Sequence, residues 1–145
     1  MTISFDVVGT PAPQGSKTRM PNGAIVEGRS TAQRQGHAHW RSAVAAAARA
    51  AGTAQGLTAP LDGPLVLNVK FRFTMPKSRK KAVREAGIAP KTSAPDLDKL
   101  IRSTGDALKE GGLIVDDALL VWVHATKVEV TGWTGAEITV REATT

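Results

Sequence analysis

Cysteine is absent from this 145-residue chain. That excludes disulfides, zinc-thiolate sites and a thiol nucleophile. Any bound metal must be held by Asp, Glu, His or backbone oxygen. No apolar run reaches the roughly 18 residues a membrane helix needs, so no membrane partner is expected. The first residues, Met1-Thr2-Ile3-Ser4-Phe5-Asp6, lack the basic and apolar blocks of a secretory signal, and the expected location is the cytoplasm. A phosphate loop of nucleotide-binding type is missing as well. Gly9 and Gly15 flank prolines rather than opening a helix in G-x-G-x-x-G spacing, so no nucleotide cofactor is expected. The sequence contains no internal repeat.

What is present is ordinary in amount and uneven in placement. Hydrophobic residues make up 41% and charged residues 22% of the chain, a normal balance for a globular protein. The length fits one domain spanning residues 1–145. A chain this small exposes much of its surface, and a homodimer is the expected state. The net charge is +6. Eight basic residues fall between Lys70 and Lys91 (Lys70, Arg72, Lys77, Arg79, Lys80, Lys81, Arg84, Lys91) against the single acid Glu85. The rest of the chain holds 11 basic and 12 acidic residues. A positive block of this kind favours a polyanion, most simply nucleic acid. The bland alternative is a solvated face.

Apolar periodicity predicts an α+β fold in the order β-α-β-α-β-β, with two helices on one mixed sheet. The first strand covers residues 3–8. A Pro- and Gly-rich loop carrying Lys17 and Arg19 follows, with a short strand at residues 24–26. Residues 31–51 read as a helix capped by Ser30 or Thr31 and ended by Gly52. Trp40, Val44, Ala47 and Ala51 share one of its faces. Residues 65–73 alternate: Leu65, Leu67, Val69, Phe71 and Phe73 face one way, and Val66, Asn68, Lys70 and Arg72 the other. The basic segment from Met75 to Lys91 is broken by Pro76 and Pro90. A second helix is expected over residues 96–110, capped by Asp96 and stopped by Gly111-Gly112. Residues 119–130 form a strand with a bulge near Thr126, a turn follows at residues 131–135, and Ala136, Ile138 and Val140 mark a final strand.

The acids are grouped around the second helix. Asp96 and Asp98 stand at its start, and Asp116 and Asp117 stand just beyond its end. The helix spans about 21 Å and cannot by itself bring the two sets together. The apolar residues 113–115 suit a short buried strand that returns the chain along it. Clustered Asp residues beside a basic segment have a chemical rationale. Mg²⁺ takes oxygen ligands from a few carboxylates, waters and substrate phosphate. A metal-activated water can then attack a phosphodiester while metal charge steadies the leaving oxygen. The plain alternative makes Asp96 a cap, Asp98 a first-turn acid favoured by the helix dipole, and Asp116-Asp117 a turn. Asp98, Arg102 and Asp106 recur at four-residue intervals on one face. Arg102 can stabilise charge on a phosphate or pair with its helical neighbours.

Pro95-Asp96-Leu97-Asp98-Lys99-Leu100-Ile101-Arg102, then Asp106-Ala107-Leu108, then Asp116-Asp117 resembles the signature of the RusA-type Holliday-junction resolvases, P-D-x-D-N-L-x-K, D-A-L and D-D. The Gly9-Thr10-Pro11 loop with Pro13, Lys17 and Arg19, the Thr74-Met75-Pro76-Lys77-Ser78 stretch and Gly135-Ala136-Glu137-Ile138 extend the resemblance over nearly the whole chain. It implies a homodimeric endodeoxyribonuclease that resolves four-way DNA junctions by paired symmetric nicks. The implied cofactor is Mg²⁺, with Mn²⁺ able to substitute. By position Asp96, Asp98 and Asp117 match the family's catalytic, metal-binding aspartates, and Arg102 matches its essential lysine. Asp116 matches the neighbour of the third acid. Lys99 stands where the pattern has Asn, and Arg102 stands where it has Lys. Relatives of this kind are often encoded by phages or prophages, which would place the protein in the cytoplasm of a bacterial host.

The expected phosphate contacts are Lys17, Arg19, Lys70, Arg72, Lys77, Arg79, Lys80, Lys81 and Lys91. His37 and His39, two apart on a helix, point to different faces and are not read as a metal pair. His124 is read as structural, Trp40 as core, and Trp122 and Trp133 as core or dimer contacts rather than base-stacking groups. Three rival readings remain at this level: a non-catalytic branched-DNA-binding module, a nuclease acting on forks or packaging intermediates, and a basic structural protein whose acids are only caps.

Overall fold

The alternating segment that begins at Leu65 becomes the middle strand of the sheet. In the computed structural model, residues 1–14, 17–19, 25–27 and 31–144 are described, with backbone alone for 17–19, 25–27 and 31. The strands are β1 (Thr2–Val8), β2 (Lys17–Arg19), β3 (Ile25–Glu27), β4 (Leu65–Thr74), β5 (Ile88–Pro90), β6 (Leu120–Val130) and β7 (Gly135–Glu142). The helices are α1 (Thr31–Ala54), α2 (Lys81–Ala86) and α3 (Leu97–Glu110), with a 3₁₀ turn at Asp117–Leu119. Five strands form one mixed sheet in the order β1-β7-β4-β6-β5, and β2 and β3 form a separate antiparallel pair. β4 runs parallel to β6 and antiparallel to β7. The α+β class and its mixed sheet are as the periodicity predicts, with a third helix added.

The core lies between α1, α3 and one face of the sheet. Leu65, Leu67, Val69, Phe71 and Phe73 from β4 meet Trp40, Val44 and Ala48 from α1 and Leu100, Ala107 and Leu108 from α3. The two long helices cross closely enough that a Cβ on Gly111 would lie 2.4 Å from the Ala45 carbonyl oxygen, so glycine there is a packing requirement. Asn68, Lys70 and Arg72 point to the opposite face, in register with His124, Thr126 and Val128 of β6. β7 enters at Gly135, whose φ of +142° and approach to the Val7 carbonyl leave no room for a side chain.

Four local expectations are corrected. α1 runs two residues past Gly52, to Ala54, because Gly52 faces Leu57 and Leu113 and the chain turns only at Gly56, where φ is +80°. The basic stretch after Met75 is ordered as α2 and β5, whose small size hid them from periodicity; α2 buries no residue. The irregularity of β6 falls at Val121, between the pairs Leu65↔Leu120 and Val66↔Trp122, and not near Thr126. Asp96 occupies the N-cap position of α3, but its side chain makes no capping bond. Ser30, expected as a cap, lies outside the described residues, as does Ala24 of the expected short strand, which is found at Ile25–Glu27.

Candidate active site

α3 carries the first two acids because its sequence is strongly amphipathic. Leu100, Ser103, Thr104, Ala107 and Leu108 are buried, which turns Asp98 and Arg102 outward. Before the helix the chain passes through a cis Ala94–Pro95 peptide. Lys127 of β6 donates from Nζ to the carbonyls of Ser93 and Pro95, at 2.8 Å each. This anchors the Asp96 end of α3 to the sheet. Asp96 is exposed and lies 3.9 Å from the Lys99 ammonium.

The return to Asp116-Asp117 works as the apolar 113–115 segment predicts. Leu113 and Ile114 are buried. Leu61 donates to the Leu113 carbonyl at 2.8 Å and accepts from Val115 N–H at 3.0 Å, a one-residue parallel bridge between Leu61 and Ile114. The chain then makes its 3₁₀ turn. Asp116 caps that turn by accepting from Ala118 N–H at 3.2 Å, and its carboxylate lies 3.8 Å from Lys109 Nζ. Asp117 comes to rest against Gly105 of α3, where a Cβ would stand 3.3 Å from Asp117 Cβ.

Gly105 is seven residues beyond Asp98, so the two share a helix face, about 10.5 Å apart along the axis. Arg102 lies between them. Asp98, Arg102 and Asp117 therefore occupy one exposed strip. Arg102 makes no ion pair with Asp98 or Asp106; Asp106 instead stands 4.0 Å from Arg41 Nη1 of α1. Among the described residues no three acidic or histidine side chains converge into a ready-made metal cage.

Asp116 and Asp117 share a hydrogen bond, and it shifts them in opposite directions. Asp117 is raised above the usual carboxylate range by that bond first, then by partial burial and by the nearby Asp106 charge. Asp116 is lowered, because it accepts from Asp117 and from Ala118 N–H and faces Lys109. Adjacent carboxylates repel one another, an electrostatic situation that a cation relieves. The donors are all hard oxygens, the type suited to Mg²⁺ or Mn²⁺. Mg²⁺ commonly takes one or two carboxylates and completes its shell with water and substrate phosphate, so a full protein cage is not required. The residues present offer donors of the type such an ion takes.

The cations expected to meet phosphate divide into two sorts. Lys77, Lys80 and Lys81 are exposed, with Lys81 loosely paired to Glu85 at 3.8 Å. Arg79 is committed inward: its Nε donates to Glu129 Oε1 at 2.8 Å, and its Nη2 donates to the same oxygen. Glu129 is 2% exposed, a buried acid that sequence reading missed because its neighbours in β6 carry no helical or catalytic signature. Arg72 stacks 4.2 Å from the Trp133 ring centroid, donates to the Trp133 carbonyl at 3.0 Å and reaches Glu137 at 3.5 Å. Lys70 lies 3.9 Å from Glu137. Both stand on the sheet face opposite α3. Lys91 sits 5.0 Å from the Phe73 ring centroid, in a cleft of about 680 Å³ lined by Pro11, Pro13, Phe73, Pro95, Asp96 and Lys99. The side chains of Lys17 and Arg19 lie outside what is described; their backbone forms β2.

The remaining singled-out residues also find their places. Trp40 is core and His37 is buried, whereas His39 faces out. The structural reading of His124 is not met, because it is exposed on β6. Trp122 and Trp133 are 65% and 38% exposed and so are not core.

An α+β scaffold with carboxylates along α3 and exposed lysines around α2 suits contact with a phosphate-rich polymer. The model of the endodeoxyribonuclease RusA family matches residues 9–141, and the chain belongs to that family of Holliday-junction-resolving endodeoxyribonucleases, hydrolases of DNA phosphodiester bonds. No curated protein matches the chain significantly. Among the described residues no helix is long and apolar enough to cross a membrane.

Proposed function

We propose that residues 1–145 act as one metal-dependent nuclease domain that resolves four-way DNA junctions by paired symmetric nicks, as a homodimer in the cytoplasm where its DNA lies. Asp96, Asp98 and Asp117 hold Mg²⁺, for which Mn²⁺ can substitute. The observation that carries this reading is the strip on α3. A helix-borne acid, an arginine and the returning Asp117 share one exposed face, in a chain of this family.

When bound, the ion supplies Lewis acidity and lowers the pKa of a coordinated water. The chain's own groups do the rest. Arg102, exposed between the acids, meets the charge that grows on the phosphate, where a positioned donor is worth several kcal/mol in the transition state. Its guanidinium does not release a proton at working pH, so its part is electrostatic. Lys77, Lys80 and Lys81 dock neighbouring phosphates, with Lys91 beside Asp96. Lys70, Arg72 and Arg79 contribute mainly to the local positive field, since each is tied to a glutamate. Lys17 and Arg19 complete the phosphate contacts.

The test is a labelled four-way junction incubated with Mg²⁺ or with chelator, beside a fork and a linear duplex. Symmetric nicks in the junction, dependent on metal and lost in Asp98→Asn, are expected. Binding without nicking, or full activity in Asp98→Asn, overturns the proposal. Faster cleavage of forks than of junctions removes junction resolution from it.

A further inference from the structure

β6 leaves half of the sheet with an open edge. On one side it pairs with β4 along its whole length. On the other side β5 covers only Val128–Val130, through Pro90, Ala89 and Ile88, and Lys91 N–H takes the Lys127 carbonyl at 3.1 Å. From Leu120 to Thr126 no strand among the described residues pairs with that outer edge, and the β2–β3 hairpin forms its own sheet.

An open edge presents a row of unpaired backbone donors and acceptors. Proteins that stay monomeric blunt such edges with lysine, proline or other charges. This edge has no such device. The sequence Leu-Val-Trp-Val-His-Ala-Thr from 120 to 126 contains neither formal charge nor proline. Val121 and Trp122 are each 65% exposed, and Val123 is 36% exposed. Lys127, the first cation, is folded back onto the carbonyls of Ser93 and Pro95. The other outer strand, β1, is treated differently, with the charge of Asp6 near its middle.

We infer that the Leu120–Thr126 edge pairs antiparallel with the same edge of a second copy, joining two five-stranded sheets into one. The occupant is a second copy for two reasons. An antiparallel edge is complementary to itself, as an isologous interface must be. In a chain of net charge +6, this uncharged stretch is also where two copies repel least. The dyad of such a pairing stands normal to the sheet, so α1 and α3 of both copies lie on the same side. Asp117 immediately precedes β6. Each copy of it falls roughly 15–20 Å from the dyad, and the two face one substrate from a shared surface. The inference rests on the dimeric reading above and gives that dimer its surface.

The absence of cysteine makes the test direct. Single cysteines are placed in turn at residues 121–126, with Ser4→Cys on β1 as control, and treated with a short bis-maleimide linker without DNA. Cross-linked dimer should peak at one or two adjacent positions of β6 and fall away on both sides, while the control stays at background. Trp122→Glu should weaken dimerisation by at least ~100-fold in sedimentation, with the circular dichroism spectrum unchanged. A dimer that cross-links no better through 121–126 than through position 4 overturns the inference, as does a chain that is monomeric at micromolar concentration. Both readouts are independent of nuclease activity. A cross-linked dimer that cuts nothing would leave this surface standing and remove the proposed function, and junction cleavage by a dimer that does not cross-link through 121–126 would do the reverse.

Discussion

Gly105 faces Asp117 across the turn from α3 into β6: a Cβ at Gly105 would stand 3.3 Å from Asp117 Cβ and 3.6 Å from Leu120 Cδ1. A glycine inside a helix costs about 1 kcal/mol relative to alanine. Here it allows the loop bearing the third acid to lie against the helix bearing the second.

Gly105→Ala should therefore separate stability from activity. Gained helix propensity and added crowding nearly offset each other, so the unfolding free energy should change by less than about 1 kcal/mol. Junction cleavage should fall at least ~10-fold as Asp117 is displaced from the strip. Denaturant unfolding and single-turnover cleavage, measured on the same preparation, check both halves; full activity would show that the contact does not position the acid.

The committed arginine and the free lysines should behave differently. Arg79→Ala leaves Glu129 buried without its partner and should cost about 2 kcal/mol, read from the urea midpoint. The triple change Lys77→Ala, Lys80→Ala and Lys81→Ala should leave that midpoint within about 0.5 kcal/mol. It should reduce the slope of log affinity against log salt by about 2–3. An unchanged slope would move the docking surface elsewhere.

Arg102 offers a test of role. If it stabilises charge and releases no proton, Arg102→Lys should keep cleavage within about 10-fold, whereas Arg102→Ala should lose at least ~100-fold. Junction affinity should change far less in both. Equal losses in the two variants would point to a need for the planar guanidinium fork rather than for charge.

Asp96→Asn and Asp117→Asn should each abolish nicking while preserving or strengthening junction binding in chelator, because repulsion of phosphate falls. Asp116→Asn should be milder, since Asp116 already caps the 3₁₀ turn through Ala118 N–H and its amide oxygen can keep that bond. A loss at Asp116 as severe as at Asp117 would assign it to the metal.

Much was legible from residue order because it depends on local chemistry. Alternation in β4 fixed which side chains face the core, and the amphipathic run at 97–110 fixed the outward face of α3. The charge imbalance located the cationic segment, and the spacing of the aspartates carried the family resemblance. α2 and β5 were not legible, being too short for a periodic signal. The exposure of Trp122 and His124 was not legible either, because a residue type does not reveal whether its strand lies inside a sheet or on its edge.

Residue order by itself determined the α+β class, the grouping of acids around one helix and the net positive field. Strand pairing and helix seating decided the rest: that Asp117 rests beside Gly105, that Arg79 serves a buried glutamate and that Lys70 and Arg72 stand across the sheet from α3. The physical reason is distance along the chain. Partners dozens of residues apart meet only once strand register and helix contacts are set, and those depend on the packing of the whole core rather than on any local run of residues.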